Sequence, residues 1–246
     1  MLHSLVLQCL LCAVATALMS TRADAFERDT VRTSAGDVEI TFIGHASLML
    51  VWNGKTIHID PFGKLADYSS FPIADLILLT HHHYDHCDPA AIEKIRNDKT
   101  QFILTTKCAE TLKQGMVMKN GDVRDIMNMK IEAIPAYNIV HMRPDGSPYH
   151  PKGEGNGYIV TIGTTRFYIA GDTENTPEMK ALKNIDVAFL PMNLPYTMTP
   201  DMVADAAKAF KPGILYPYHY GETDPARLEE LLKSVRGIEV RIRKMQ

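Results

Sequence analysis

These 246 residues contain no run of lysines and arginines, no acidic tail and no low-complexity segment. The 26 basic and 29 acidic residues are mixed along the chain and leave a net charge of -3. That balance excludes a basic footprint for nucleic acid and a long charged, disordered arm. Aromatic residues are modest at 8% and Trp52 is the only tryptophan. Cysteine is sparse, with four in all, and Cys9 and Cys12 fall in the first apolar segment. The remaining pair, Cys87 and Cys108, excludes a disulfide-dense scaffold, and whether the two pair is left open. No second apolar stretch is long enough to cross a membrane, which takes about 20 residues. What is present at the start is an apolar run from Leu5 to Leu18, broken only by Gln8 and Thr16, ending before Ala23-Asp24-Ala25. Residues 1–25 are read as a cleaved signal peptide, although no Lys or Arg precedes the run. Residues 26–246 are then expected to form a single domain exported to the periplasm or secreted, with no stable membrane span after cleavage.

Short apolar runs alternate with helical patterns along the rest of the chain. Val38 to Phe42 and Leu48 to Trp52 read as strands, and Asn53-Gly54 marks a tight turn back into Lys55 to Ile59. Further strands are expected at Leu76 to Leu79, Phe102 to Leu104, Ile131 to Ile134, Tyr158 to Ile162, Arg166 to Ala170, Val187 to Leu190, Ile214 to Tyr216 and Ile238 to Ile242. Asp88-Pro89, Thr199-Pro200 and Asp224-Pro225 open helices, each with a capping side chain followed by proline in the first turn. Strands come first as hairpins and later alternate with helices, which predicts mixed sheets covered by helices. The stretch from Gly115 to Lys130 is weakly patterned. Ala136 to Asn156, rich in Pro and Gly, reads as a long functional or mobile loop, and Asn138 to Asn156, with the Met-rich stretch before it, as a natural lid.

The chemistry concentrates where the Leu76 to Leu79 strand ends. Thr80-His81-His82-His83-Tyr84-Asp85-His86 places four metal-type side chains within six residues, and alternation lets His81 and His83 share an ion. Imidazole with carboxylate suits zinc, manganese or iron. The same setting recurs: Gly171-Asp172-Thr173 follows Phe167 to Ala170, Tyr218-His219 follows Ile214 to Tyr216, and Asp60-Pro61 follows Lys55 to Ile59. If the strands share sheets, these ends gather on one rim. Alone, an Asp after Gly is a turn residue and a lone His a satisfied one; the joint pattern makes the case. His82 faces away from its neighbours, and His58, between Ile57 and Ile59, reads as an outward-facing strand residue.

His81-x-His83-x-Asp85-His86, then Gly171-Asp172-Thr173, then His219, resembles the metallo-β-lactamase-fold hydrolases over residues 38–242. Gly44-His45-Ala46-Ser47, Ile59-Asp60-Pro61 and Pro217-Tyr218-His219 resemble the arm holding L-ascorbate-6-phosphate lactonase and N-acyl-phosphatidylethanolamine phospholipase D. The resemblance implies an α/β fold, a four-layer αββα sandwich of two mixed β-sheets flanked by helices. It implies two divalent metal ions, zinc foremost, with Mn2+ or Fe2+ as alternatives. His81 and His83 then hold the first ion, Asp85, His86 and His219 the second, and Asp172 bridges both. The third histidine of the first ion falls between His86 and Asp172: His150 fits the pattern better than His141. Asp60 and His45 are expected to support the ligands.

Such a site implies a metal-dependent hydrolase whose hydroxide attacks a phosphodiester, lactone or thioester. Two dications against two aspartates leave it net positive, which favours a small substrate that is anionic or acyl-containing. Asp85 and His45 are candidates for proton handling. Asn193 and Tyr196 are candidate hydrogen-bond donors to substrate, and Met192, Met198 and Met202 a candidate apolar wall. Alternatives on the same fold are a β-lactamase, disfavoured by the bridging Asp172, and an iron-dependent oxidoreductase, disfavoured by the histidine at position 83. Oligomeric state is not legible.

Overall fold

The computed structural model describes residues 26–245; the expected signal segment, residues 1–25, lies outside them. Two seven-stranded sheets form the centre. The first runs in chain order: β1 (Glu27–Thr33), β2 (Gly36–Gly44), β3 (Ser47–Trp52), β4 (Lys55–Ile59), β5 (Leu76–Leu78), β6 (Gln101–Leu104) and β7 (Met116–Val117). The second holds β8 (Val123–Ile126), β9 (Met129–Ala136), β10 (Gly155–Ile162), β11 (Thr165–Ile169), β12 (Val187–Pro191), β13 (Ile214–Tyr218) and β14 (Glu239–Val240), again in chain order. In each sheet the first four strands pair antiparallel and the last three join in parallel. The expected mixed sheets and the αββα sandwich are thus present, and the two halves of the chain repeat one topology.

Side-chain alternation assigns the faces. Ile57 and Ile59 of β4 and Leu76 and Leu78 of β5 point into the core between the sheets, with Ile131, Val160 and Phe167 of the second sheet. Ile77 and Leu79 point the other way. They pack under α1 (Pro89–Ile95) and α2 (Thr106–Leu112) with Ile92, Ile95 and Cys108. On the far side, α3 (Pro177–Lys180), α4 (Pro200–Phe210) and α5 (Ala226–Leu232) bring Met179, Val203, Phe210 and Leu228 onto the second sheet. Two of the three expected caps form: Asp88 accepts from Ala90 N at 3.0 Å and Thr199 from Met202 N at 3.1 Å, whereas α5 has Pro225 in its cap position and Asp224 only accepts from Ala226 N at 2.9 Å one residue earlier. Asn53 and Gly54 turn the β3–β4 hairpin at φ 47° and 70°. Cys87 and Cys108 are both buried free thiols.

One strand residue departs from its expected place. His58 does point away from the inter-sheet core, but it is fully buried rather than facing solvent. Tyr68 and Phe71 cover its ring at 6.1 and 5.9 Å. Its Nε2 lies 3.3 Å from the Pro72 carbonyl. Burial lowers its pKa to about 4, against the hydrogen bond to Pro72. A histidine whose folded pKa is depressed binds its proton in the unfolded chain first, so stability is intact above about pH 6.5 and falls as pH drops towards 4. His58→Leu is therefore expected to remove up to about 3 kcal/mol of this acid sensitivity. Urea unfolding at pH 7 and pH 4 measures it; an unchanged pH difference contradicts this account.

The strand directions fix where function can lie. β2 runs parallel to β4 and β5, and β9 runs parallel to β11, β12 and β13, so all of these strands end towards one rim. The rim is sewn shut between the sheets. Tyr158 Oη donates to Leu79 O at 2.9 Å, Asn156 N to Thr80 O at 2.9 Å and His219 N to His45 O at 2.8 Å.

Candidate metal centre

Past β5 the chain turns tightly, with His86 N and Cys87 N both donating to His83 O, at 3.0 and 2.8 Å. This turn presents His81, His83, Asp85 and His86 to one cleft. Asp172 reaches it from the end of β11, His219 from β13, His45 from the β2–β3 turn and His150 from the loop between β9 and β10. His45, Asp60 and His219 all adopt positive φ, at 52°, 44° and 47°. Such backbone costs about 1–3 kcal/mol per residue and gathers at functional sites.

Gly171 makes the approach of Asp172 possible. Its φ is 65°, and a Cβ there would come within 2.9 Å of Thr80 Cβ and 3.0 Å of Asn156 O. Gly171→Ala is expected to cost about 1–3 kcal/mol, because backbone strain and overpacking act together. A chemical-denaturation midpoint equal to that of the parent would rule this out.

The side chains fall into overlapping groups whose ligand atoms lie within 4.8 Å of one another: His81, His83 and His150; His45, Asp85, His86 and His219; and His81, His86 and Asp172. His81 Nε2 is 3.0 Å from His83 Nδ1. Asp172 lies between the groups, 3.3 Å from His150 Nε2, 3.4 Å from His219 Nε2 and 3.5 Å from His86 Nε2. Asp85 Oδ2 is 3.7 Å from His86 Nε2 and 3.8 Å from His219 Nε2. All seven expected ligand positions thus converge. His141 does not join them: it binds Glu174 instead, with Nδ1 2.6 Å from Oε1.

The far side of each ring decides which nitrogen is presented. Asp60, fully buried, accepts from Thr80 N at 2.8 Å and Thr80 Oγ1 at 2.6 Å, and its Oδ2 lies 2.8 Å from His86 Nδ1. Thr80 Oγ1 is 3.1 Å from His81 Nδ1, so one carboxylate orients two rings. Asn138 Oδ1 accepts at 2.8 Å from His150 Nδ1, and the Asn193 amide sits 3.4 Å from His219 Nδ1. With Nδ1 occupied, Nε2 of His86, His150 and His219 points inward. Those three atoms and Asp172 Oδ1 are buried without a hydrogen-bond partner. An unpartnered buried polar atom costs about 1–3 kcal/mol, so four at one point fit a cation centre far better than a packed core.

The electrostatics agree. Burial, with its cationic neighbours, holds His81 well below the ordinary histidine range, and burial lowers His83 to about 4. Both rings therefore stay neutral, the state a metal ligand needs. Burial opposes the charge on Asp172, yet the surrounding histidines outweigh it and keep the carboxyl well below its usual range. Asp85 is likewise lowered against burial, by the nearby His219 ring and the hydrogen bond with His45. Burial works against a charge on His86, but Asp172 and Asp60 overcome it and raise that pKa well above the usual value, so this ring, unlike His81 and His83, must release a proton to hold a cation.

Several expectations need correcting. Met192 and Met198 are fully buried core residues and Met202 packs against that core, so none lines the cleft. The loop expected to act as a lid has a fastened base. Buried Glu174 accepts from the amides of Ile139, Val140 and His141 at 2.6, 2.6 and 2.7 Å. Asn193 and Tyr196 do line the cleft. Residues missed from sequence are Asn138 and Glu174, which order this loop, and Arg143 and Tyr149, which wall the cleft. None belongs to a strand-end pattern, so no periodicity flagged them.

Residues 39–219 match the β-lactamase superfamily domain. The chain belongs to the metallo-β-lactamase superfamily. It is 30% identical over 220 residues to a UPF0173 metal-dependent hydrolase of Pelotomaculum thermopropionicum, covering 83% of this chain and 96% of that one. Among solved structures it is similar to a protein of Parabacteroides distasonis whose name places it with the metal-dependent hydrolases, at 50% identity and a TM-score of 0.86 over 90% of this chain and all of that one. A metallo hydrolase from Ignicoccus hospitalis shares 25% identity and a TM-score of 0.69 over 85% of this chain and 96% of that one. This superfamily member is a metal-dependent hydrolase.

Proposed function

We propose that the cleft is a dinuclear centre cleaving an ester-type bond, phosphodiester, lactone or thioester, in a small substrate. The observation that carries the reading is Asp172, set between two histidine groups and within 3.5 Å of His86, His150 and His219. In this reading His81, His83 and His150 hold one divalent cation, Asp85, His86 and His219 hold the second, and Asp172 is shared. Zinc suits the imidazole-rich set, with manganese and iron as the other candidates. When bound, the cations acidify a water and polarise the scissile bond.

The remaining steps fall to the chain's own groups. Asp172 is closed off, with a side chain 4% exposed, whereas that of Asp85 is 36% exposed. Asp85 is therefore the carboxylate open to the cleft. Being ionised, it could relay to the leaving group only a proton first taken from the attacking water, which is itself the other proton source. His45 Nε2, 2.9 Å from Asp85 Oδ2, holds that carboxylate in place. Asn193 and Tyr196, across the cleft, position substrate. The Gly44-His45-Ala46-Ser47 turn and the Asp60-Pro61 corner support placing the chain near the lactonase and phospholipase D arm.

A screen of the metal-loaded protein over phosphodiesters, lactones, thioesters and β-lactams, with oxygen uptake followed in parallel, tests the reading. His83→Ala is expected to lose at least about a hundredfold of whatever hydrolysis is found, the scale of removing a metal-site group. Hydrolysis by His83→Ala at the parental rate would sink the mechanism, and turnover confined to β-lactams or to oxygen consumption would replace it.

A further inference from the structure

We propose that Arg143 selects the substrate: its guanidinium takes an anionic oxyacid group, carboxylate or phosphate monoester, carried apart from the bond that is cleaved. This rests on the hydrolase reading above and adds to it a substrate class.

The cleft of about 370 Å3 is lined by Arg143, Tyr149, Asn193 and Tyr196 beside the site's histidines and aspartates. That volume suits a small molecule. Its other charged groups, Asp85 and Asp172, belong to the cation centre. Arg143 is permanently charged and has no carboxylate within 4 Å among the described residues, unlike Arg28, Arg96 and Arg166 elsewhere on the chain. Its side chain spends one contact on protein, Nη2 donating to Tyr149 O at 3.4 Å. The rest of a five-donor fork, matched to the two oxygens of a carboxylate or phosphate, remains for the cleft.

The side chain is exposed, but the backbone that carries it is held in place. Arg143 N donates to Ser147 O at 2.7 Å, Gly146 N donates to Arg143 O at 2.9 Å, and Met142 pairs with Pro148, closing the loop tip. The guanidinium carbon lies 5.0 Å from the centre of the Tyr149 ring, which packs edge-on against Tyr196 at 5.1 Å. A stacked guanidinium loses less freedom on binding than a free lysine. Beyond Arg143 a second hollow of about 220 Å3 continues past His82 and Lys107. Lys107 is neutralised there by Glu154 at 2.6 Å, so Arg143 stands as the unpaired cation where the two hollows meet.

The test is equilibrium binding to the zinc-loaded protein by calorimetry, with butyramide as the neutral probe and succinamate and 3-phosphonopropionamide as its anionic counterparts. The parent is expected to bind at least one anion about tenfold tighter than butyramide, the worth of one charge-assisted bidentate contact. Arg143→Met, which keeps the stem over Tyr149, should erase that preference, and Arg143→Lys should keep part of it. The anion with the larger loss identifies the group recognised. Equal binding of all three probes by the parent overturns the proposal. So does a preference that survives in Arg143→Met, which would put the anion on the cations. Because no turnover is needed, a failed hydrolysis screen and a failed Arg143 assignment are read separately.

Discussion

Asp172→Ala is expected to lower kcat/KM by at least about a thousandfold, equivalent to about 4 kcal/mol of transition-state stabilisation, and to leave the protein with less than one bound equivalent of metal. The reason is geometric. Each histidine group retains its own nitrogens without Asp172, but only this carboxylate lies within 3.5 Å of rings from both. Removing it also leaves the buried histidines with one fewer anion to offset a cation's charge. Asp172→Asn is the informative companion, since it keeps the shape and removes the charge. Both variants should still unfold cooperatively but below the parental temperature when all are compared without metal, because Asp172 is one of the two carboxylates that offset the charge on buried His86. Elemental analysis of the purified variants decides the matter: full metal content with activity intact refutes the shared role.

Asp60→Ala should behave differently, failing in stability as well as in metal binding. Its carboxylate accepts from Thr80 N, Thr80 Oγ1 and His86 Nδ1 in a fully buried position. Truncation strands three donors at the hinge between β5 and the His81–His86 turn. Breaking a buried, hydrogen-bonded charge pair costs about 3–5 kcal/mol, which for a domain of this size lowers Tm by about 10 °C. Metal affinity should fall by about ten- to a hundredfold, as when a group that orients a ligating ring is lost. Competitive chelation and thermal melts of the same preparations separate the two effects. A melting temperature within a degree or so of the parent would show that Asp60 is a turn residue after all.

Most of the rim was readable because strand ends leave a simple mark: an apolar run, then an ionisable residue. That mark picks out Asp60, His81, Asp172 and His219 alike. It cannot show which rings face inward, since the orientation of His86 and His150 depends on partners far away in the chain, Asp60 and Asn138. Arg143 and Glu174 act from a loop, where no period exists to betray them. Burial of His58 was missed because alternation tells which face a residue takes, not what covers that face; here Tyr68 and Phe71 do.

The fold was legible in its helices and central strands and less so at its edges. β1 reads Glu-Arg-Asp-Thr-Val-Arg-Thr and buries only Val31, so its strand character comes from pairing with β2 along seven positions rather than from hydrophobicity. The weak stretch from Gly115 to Lys130 hides β7, β8 and a turn at Met127 and Asn128, both at positive φ. Methionine blurred the pattern there: Met118 and Met129 are core residues while Met116 is exposed. The matching order of the two sheets is a repeat of topology, and no short period in the side chains records it.

The clamp by Glu174 divides labour within a single loop. Its stem, from Asn138 to His141, is bound to the same segment that carries Asp172, so a disturbance there reaches His150, which Asn138 orients. The tip, from Met142 to Pro148, closes on itself and is exposed along most of its length. New tips can therefore be grafted onto an unchanged stem, letting such a scaffold alter what it admits without rebuilding how it cuts.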